Sequence, residues 1–528
     1  MDRPVAGLAT RSVAVSRGAM VASSQSPATL AGVEVLRAGG NAVDAAIAAH
    51  AVMGVVEPHS SGIGGDAFAL VWDPRERRVV ALNGSGGASL EASRERLHAQ
   101  GLETMPERGG LSITVPGAVR AFAALGERYG RRSLRENLAA AIAHAEEGFP
   151  VAEVAAAAWS ASAPIVARYS GGDSPFGRPV RPGEIIRLPA LARTLRAIGE
   201  GGAGAFYDGE VAAAMVRAVA SAGGTLSRED LRTHCSQWVE PISTTYRGCE
   251  VFAPPPNGQG IAALEMLNIL EGFDLRALGH NTAPYLHLIV EAKRLAHRDL
   301  ARHLADPDQA VVPIARLLDK TYAAELRARI RPDRMMELPA DLPARSGTVY
   351  AAAVDADGLC CSLISSVYMN FGSGVVDRVS GVNFQNRGAL FSLEPHHPNA
   401  LAPGKRPYHT IVPWLVLRDG APWLTMGIVG GEIQPQGAVQ MLCGLLEFGL
   451  GLQEVVECPR IRHSDGAIAM ESGIAPGVRA ALAELGHRVV SSFGPFSYGG
   501  AQAVAVDPIS GVRSGASDPR KDGIALGT

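Results

Sequence analysis

The chain has 528 residues and a mass of 55.0 kDa, with 47% hydrophobic and 19% charged residues. That composition supplies ample core and excludes a disordered chain. With 49 basic against 52 acidic residues, a net charge of −3, there is no positive excess to neutralise phosphates, which excludes nucleic acid as the main partner.

At about 150 residues per domain the length allows roughly three units or one large α/β enzyme. The six cysteines, Cys235, Cys249, Cys360, Cys361, Cys443 and Cys458, are too sparse for a disulfide scaffold. None forms a CxxC pair, which argues against structural zinc. The first residues hold no apolar run of signal or membrane length, so the expectation is a cytoplasmic protein with no membrane partner.

In chain order, residues 29–39 read as a short helix stopped by Gly39-Gly40. Asn41 is placed to cap an Ala-rich, very apolar helix over 42–56 that calls for close burial against a sheet. The Gly-rich turn His59–Asp66 then feeds a strand over 67–72. From about 117 to 338 the pattern is mostly helical, clearest at 119–129, 134–147 and 282–306. Residues 331–346, with Pro332, Pro339 and Pro343, read as an exposed linker. A strand–turn–strand hairpin follows over 348–354 and 359–367. The same pattern returns over 411–417 and 422–428, then Gly430-Gly431 and a helix over 434–448.

Three common catalytic signatures are missing: GxxxxGK[ST], HExxH and GxSxG. The adjacent His396-His397 pair reads as loop packing rather than a metal site, because neighbouring side chains diverge. The junction Gly347-Thr348 is the informative point. If the chain is cut there, Thr348 acquires an α-amino group with a reference pKa near 8. That amine can act as general base for its own hydroxyl. Two successive glycine amides at Gly430-Gly431, on a strand-to-helix junction, can form an oxyanion hole or a simple tight turn.

These residues sit in stretches that resemble the γ-glutamyltranspeptidase family of N-terminal nucleophile hydrolases over nearly the whole chain. The stretches are 36–68, TVPGAV at 114–119, GTVYAAAVDADG at 347–358, FGSGVV at 371–376, GKRPYHTIVP at 404–413 and GIVGG at 427–431. The resemblance implies an α/β, four-layer αββα sandwich. It implies a precursor that cuts itself between Gly347 and Thr348 into a large chain 1–347 and a small chain 348–528, which together form one catalytic unit. Thr348 would be the nucleophile, Gly430 and Gly431 the oxyanion donors, and Ser366 the hydroxyl beside the nucleophile. No cofactor or metal is implied. The partners would be a small-molecule substrate and the protein's own two chains as a heterodimer, with a higher oligomer left open.

The chain departs from the family in the donor pocket. The Arg that binds the γ-glutamyl α-carboxylate falls at Ser85, and an Asn beside the nucleophile falls at Tyr368. The Gln and Asp that hold the α-amino group fall at Arg387 and Leu390, and a paired Ser becomes His409-Thr410. A zwitterionic head needs an anion for its ammonium, and Leu390 offers none. Arg387 and His409 are instead expected to bind a carboxylate with no neighbouring ammonium. This resembles the branch with oxamate amidohydrolases and cephalosporin (glutaryl) acylases. The alternatives are γ-glutamyl transfer or glutathione hydrolysis, a biosynthetic hydrolase removing an oxalyl-like group, and an unprocessed, non-catalytic protein.

Overall fold

The computed structural model describes residues 9–338, 347–494 and 496–528. Two seven-stranded sheets organise it, and every pairing within them is antiparallel. The first runs in the order Ile524–Gly527, Met20–Ser23, Val349–Val354, Cys360–Ser366, Asp66–Asp73, Arg78–Gly84, Gln237–Val239. The second runs Ala14–Ser16, Arg513–Ser517, Gly500–Val506, Ala421–Val429, Trp414–Arg418, Cys249–Ala253, Ile242–Tyr246.

Strand alternation sorts the side chains into layers. Tyr350, Ala352 and Val354 join Phe68, Leu70 and Ile364 against Leu415, Val429 and Val504 of the other sheet. Val349, Ala351 and Ala353 face the opposite way, onto helices that include Ala42–Val56. The outer face of the second sheet is covered by helices Gly260–Leu270, Ala283–His303 and Ile433–Leu446. The fold is therefore an αββα sandwich.

Helix Ala42–Val56 is buried on nearly every side, which is why its sequence is apolar all round. Asn41 and Asp44 close a capping box at its start. Three expectations need correction. The helix expected from 29 begins at Ser26, because Pro27 in its first turn presets the helical φ. The strand expected from 411 begins at Trp414, after Pro413, which has no N–H for a ladder. The central stretch also holds strands Gln237–Val239, Ile242–Tyr246 and Cys249–Ala253, which extend both sheets.

The expected linker divides. Residues 339–346 lie outside the described residues. Before them the chain is anchored: the Met335 amide donates to the Leu485 carbonyl at 2.7 Å, and the Met336 amide to Glu291 at 2.8 Å. Among the described residues no helix is long and apolar enough to cross a membrane.

Candidate active site

Register builds the centre of the site. Val349 pairs with Ser365, so one residue earlier Thr348 lies opposite Ser366; on its other side Ser366 pairs with Asp66. Cross-strand neighbours share a face. Thr348, Ser366 and Asp66 thus form a row at the end of the first sheet, on the face turned to the second sheet. All three are buried. The Thr348 hydroxyl donates to Ser366 Oγ at 3.3 Å, and Ser366 Oγ donates to the Gly347 carbonyl.

Gly430 follows the strand Ala421–Val429 of the opposite sheet and lines the same small cavity as Thr348, about 30 Å³, with Gly347, Asn370, His59 and Lys521. Gly430 and Gly431 have φ of 130° and 70°, values that favour glycine. A Cβ on Gly430 would also lie 2.6 Å from Ile433 Cγ2. Gln259 fixes this turn by donating from Nε2 to the Gly431 carbonyl at 3.0 Å and to the Thr410 carbonyl at 2.5 Å.

Behind Ser366 lies Arg387, fully buried. Its guanidinium donates to Ser366 Oγ at 3.0 Å and to Thr410 Oγ1 at 2.7 Å. It stacks on the Tyr368 ring at 4.5 Å. Its Nε has no hydrogen-bond partner among the described residues. Burial pulls the Arg387 pKa down to about 10, with Asp66 opposing, so the group remains a cation at neutral pH. Tyr368 sits at φ 76°, and its amide donates to Ser366 Oγ at 2.8 Å.

Asp66 accepts from the Gly86 and Gly117 amides, each at 3.1 Å, and its other oxygen lies 3.1 Å from His409 Nε2. Burial raises Asp66 to about 7 despite Arg387. Burial, reinforced by Arg387, pushes His409 well below the usual histidine range, so it is neutral. His409 is tied to Asp66, so what it offers the pocket is a hydrogen-bonding ring rather than a second cation. Ser85 lies one step further out, donating to Asn83 at 2.7 Å and accepting from Asn257 at 3.2 Å.

The fold thus brings Thr348, Ser366, Tyr368, Arg387 and Thr410 together and links His409 to them through Asp66; Ser85 is outside direct contact. Asp66, Gln259 and Asn257 were not singled out from sequence. Asp66 carried a usable signal, as an acid closing a glycine-rich turn at the mouth of a strand.

Among the described residues one cluster has the donors for a metal, His287, Glu291 and His487. It is internally satisfied: His287 Nδ1 and His487 Nε2 are 2.7 Å apart, and the two Glu291 oxygens take Arg294 and the Met336 amide, each at 2.8 Å. His397 Nδ1 accepts from the Asn399 amide at 3.0 Å, as a loop residue.

The family model for γ-glutamyltranspeptidase matches residues 28–528. The chain belongs to this family. Its relatives include a glutathione hydrolase-like YwrD proenzyme of Bacillus subtilis, 36% identical, with 96% of this chain and 98% of that protein covered. They also include an oxamate amidohydrolase proenzyme of Klebsiella pneumoniae, 33% identical, with 97% and 99% covered. Among solved structures, the cephalosporin acylase of Bacillus halodurans superposes with a TM-score of 0.92 at 39% identity, covering 100% of this chain and 99% of that one. Membership in the γ-glutamyltranspeptidase family and these relatives support an amidohydrolase or transpeptidase activity.

Proposed function

We propose that this protein is a self-processing amidohydrolase with an N-terminal threonine nucleophile. Its acyl donor carries a carboxylate and lacks an α-ammonium group. The observation that supports this most is the buried row Thr348–Ser366 with the Arg387 cation one hydroxyl away.

Cleavage between Gly347 and Thr348 yields chains 1–347 and 348–528. The freed Thr348 amine takes the proton of its own Oγ, which attacks the amide carbonyl. The Gly430 and Gly431 amides stabilise the oxyanion. The leaving nitrogen departs with a proton returned by the amine, and water then resolves the acyl-enzyme. Arg387, with an unused Nε–H, supplies the charge for the donor's carboxylate in a site of low dielectric. Thr410 and Tyr368 hold the guanidinium in place.

One observation favours a second reading, γ-glutamyl hydrolysis. Asp66 is a carboxyl group on the same face as Thr348, a partner for an α-ammonium. Its oxygens are already engaged by two amides and His409, and its raised pKa weakens its charge, so this reading ranks second.

The test is mass spectrometry of the purified protein, then turnover. The expected result is a small chain beginning at Thr348 and ammonia release from oxamate-like or glutaryl-like amides. Thr348→Ala is expected to give one uncut 55.0 kDa chain with no turnover. Turnover confined to γ-glutamyl anilides would replace the first reading by the second. A cut, active Thr348→Ala would sink both.

A further inference from the structure

Self-cleavage poses a problem that the mature mechanism does not solve. While the 347–348 bond is intact, the Thr348 nitrogen is an amide and no α-amine exists to serve as base. The proton of the Thr348 hydroxyl needs another route.

Hydrogen bonding around Ser366 Oγ supplies one. Three donors surround the two lone pairs of that oxygen, the Tyr368 amide at 2.8 Å and Arg387 Nη2 at 3.0 Å nearest and the Thr348 hydroxyl at 3.3 Å, so the Thr348 proton shares a lone pair that one of the other two gives up as it transfers. An amide N–H and a guanidinium cannot accept, so they occupy only the acceptor side of the hydroxyl. The single proton of Ser366 is left to point at the Gly347 carbonyl oxygen, the atom on which negative charge develops during the cut. Arg387 also favours proton release from Ser366, because a buried cation stabilises negative charge on the oxygen it touches.

We propose that Arg387 is the positioning residue of self-cleavage, holding Ser366 as the relay that carries the Thr348 proton onto the scissile carbonyl oxygen. This rests on the reading that the chain cuts itself between Gly347 and Thr348. The step balances without an outside base. The Thr348 Oγ to Gly347 carbon bond forms as the carbonyl π pair moves to oxygen. The Thr348 proton passes to Ser366 Oγ, and the Ser366 proton passes to that carbonyl oxygen. The neutral tetrahedral carbon collapses by breaking its C–N bond. The pair goes to nitrogen, and the hydroxyl proton follows. An ester on Thr348 Oγ and a free amine remain, and water hydrolyses the ester. Departure of the Gly347 carboxylate then frees Ser366 and Arg387 to meet the acyl donor.

The experiment follows loss of the full-length band after cell-free synthesis of the whole chain, with the new N-terminus read by mass. Removing an oriented oxyanion donor costs on the order of a hundredfold in rate, so Arg387→Gln and Ser366→Ala are each expected to slow maturation by about tenfold or more. Because Arg387 acts through Ser366, the double variant is expected to mature within about twofold of Ser366→Ala alone. Arg387→Lys keeps the charge opposite Asp66, guarding against misfolding, and is still expected to lag, since one ammonium does not span both Thr410 and Ser366 in the fork geometry. Hydroxylamine, which cleaves a formed ester, is expected to leave the slow variants slow.

Wild-type speed in Arg387→Gln or Arg387→Lys, multiplied effects in the double variant, or rescue by hydroxylamine would each overturn the relay while wild-type cleavage stands. A wild-type chain that stays whole or is cut elsewhere would overturn the self-cleavage reading and the relay together.

Discussion

Gly347 has a requirement that its backbone angles do not explain, since its φ is not among the positive ones. The requirement is space. A Cβ there would lie 2.8 Å from the Tyr368 carbonyl oxygen, 2.9 Å from Met369 C and 3.0 Å from Asn370 N. These atoms are backbone and belong to the turn that aims the Tyr368 amide at Ser366. Gly347→Ala must push that turn aside, and displacements near 1 Å at a reacting centre can cost about a hundredfold. Maturation of Gly347→Ala is expected to slow by about ten- to a hundredfold, read from the half-life of the uncut band. Asp66 carries a pH signature. Its carboxyl is raised to about 7 by burial, so folding favours its protonated form. The stability it contributes is complete below the unfolded carboxyl pKa near 3.9 and is lost as pH rises through about 7. Asp66→Asn keeps the shape and removes the titration. Melting temperatures at pH 5 and pH 8 are expected to differ less in the variant than in the parent. Equal differences would mean that Asp66 is ionised throughout.

At the scale of the elements, the fit between the two sheets depends on Gly427. A Cβ there would lie 2.4 Å from Tyr350 Cδ2, and that ring is held by a 2.7 Å hydrogen bond between its hydroxyl and Ser362. Gly427→Ala is therefore expected to cost about 1–3 kcal/mol of stability through overpacking, seen as a lower urea midpoint with an unchanged slope. The strands and helices around this contact were largely legible. The apolar run up to Val354, closed by the turn Asp355–Gly358, announces a strand, and the helix expected over 134–147 runs Leu134–Glu147, with Ser133 and Glu136 closing a capping box at its start. Ile242–Tyr246 and Cys249–Ala253 also carried a signal, β-branched residues about the turn Arg247-Gly248, but surrounding helical periodicity hid it. Within the candidate site, the placing of Thr348 beside Ser366 was legible, because it follows from the hairpin that the sequence announces. Asp66, Asn257 and Gln259 were not, because sheet register and loop packing bring them in from positions remote in sequence. The neutral state of His409 was beyond the sequence for the same reason: it follows from complete burial beside Arg387, which no local pattern encodes.

The proposed cut falls in the middle of a molecule that does not divide there. Strand Val349–Val354, which would open the small chain, lies between Met20–Ser23 of the large chain and Cys360–Ser366 of its own. Ile524–Gly527 closes the same sheet against Met20–Ser23, and Asp66–Asp73 pairs with Cys360–Ser366. In the other sheet Trp414–Arg418 pairs with Cys249–Ala253, and Ala14–Ser16 with Arg513–Ser517. Buried polar links cross the divide as well, including Asp66 with His409 and Glu57 with Lys521 at 2.9 Å. Separating the two chains would unzip both sheets and expose the core between them, to which both chains contribute. The cut is expected to leave one native particle: both chains elute together in size-exclusion chromatography and part only in denaturant. Their unfolding is expected to be a single transition, because the shared sheets make their stabilities one quantity. Two transitions, or a small chain that elutes alone in native buffer, would mean that residues 1–347 and 348–528 fold as separate domains, and that the interleaved strands do not hold the mature protein together.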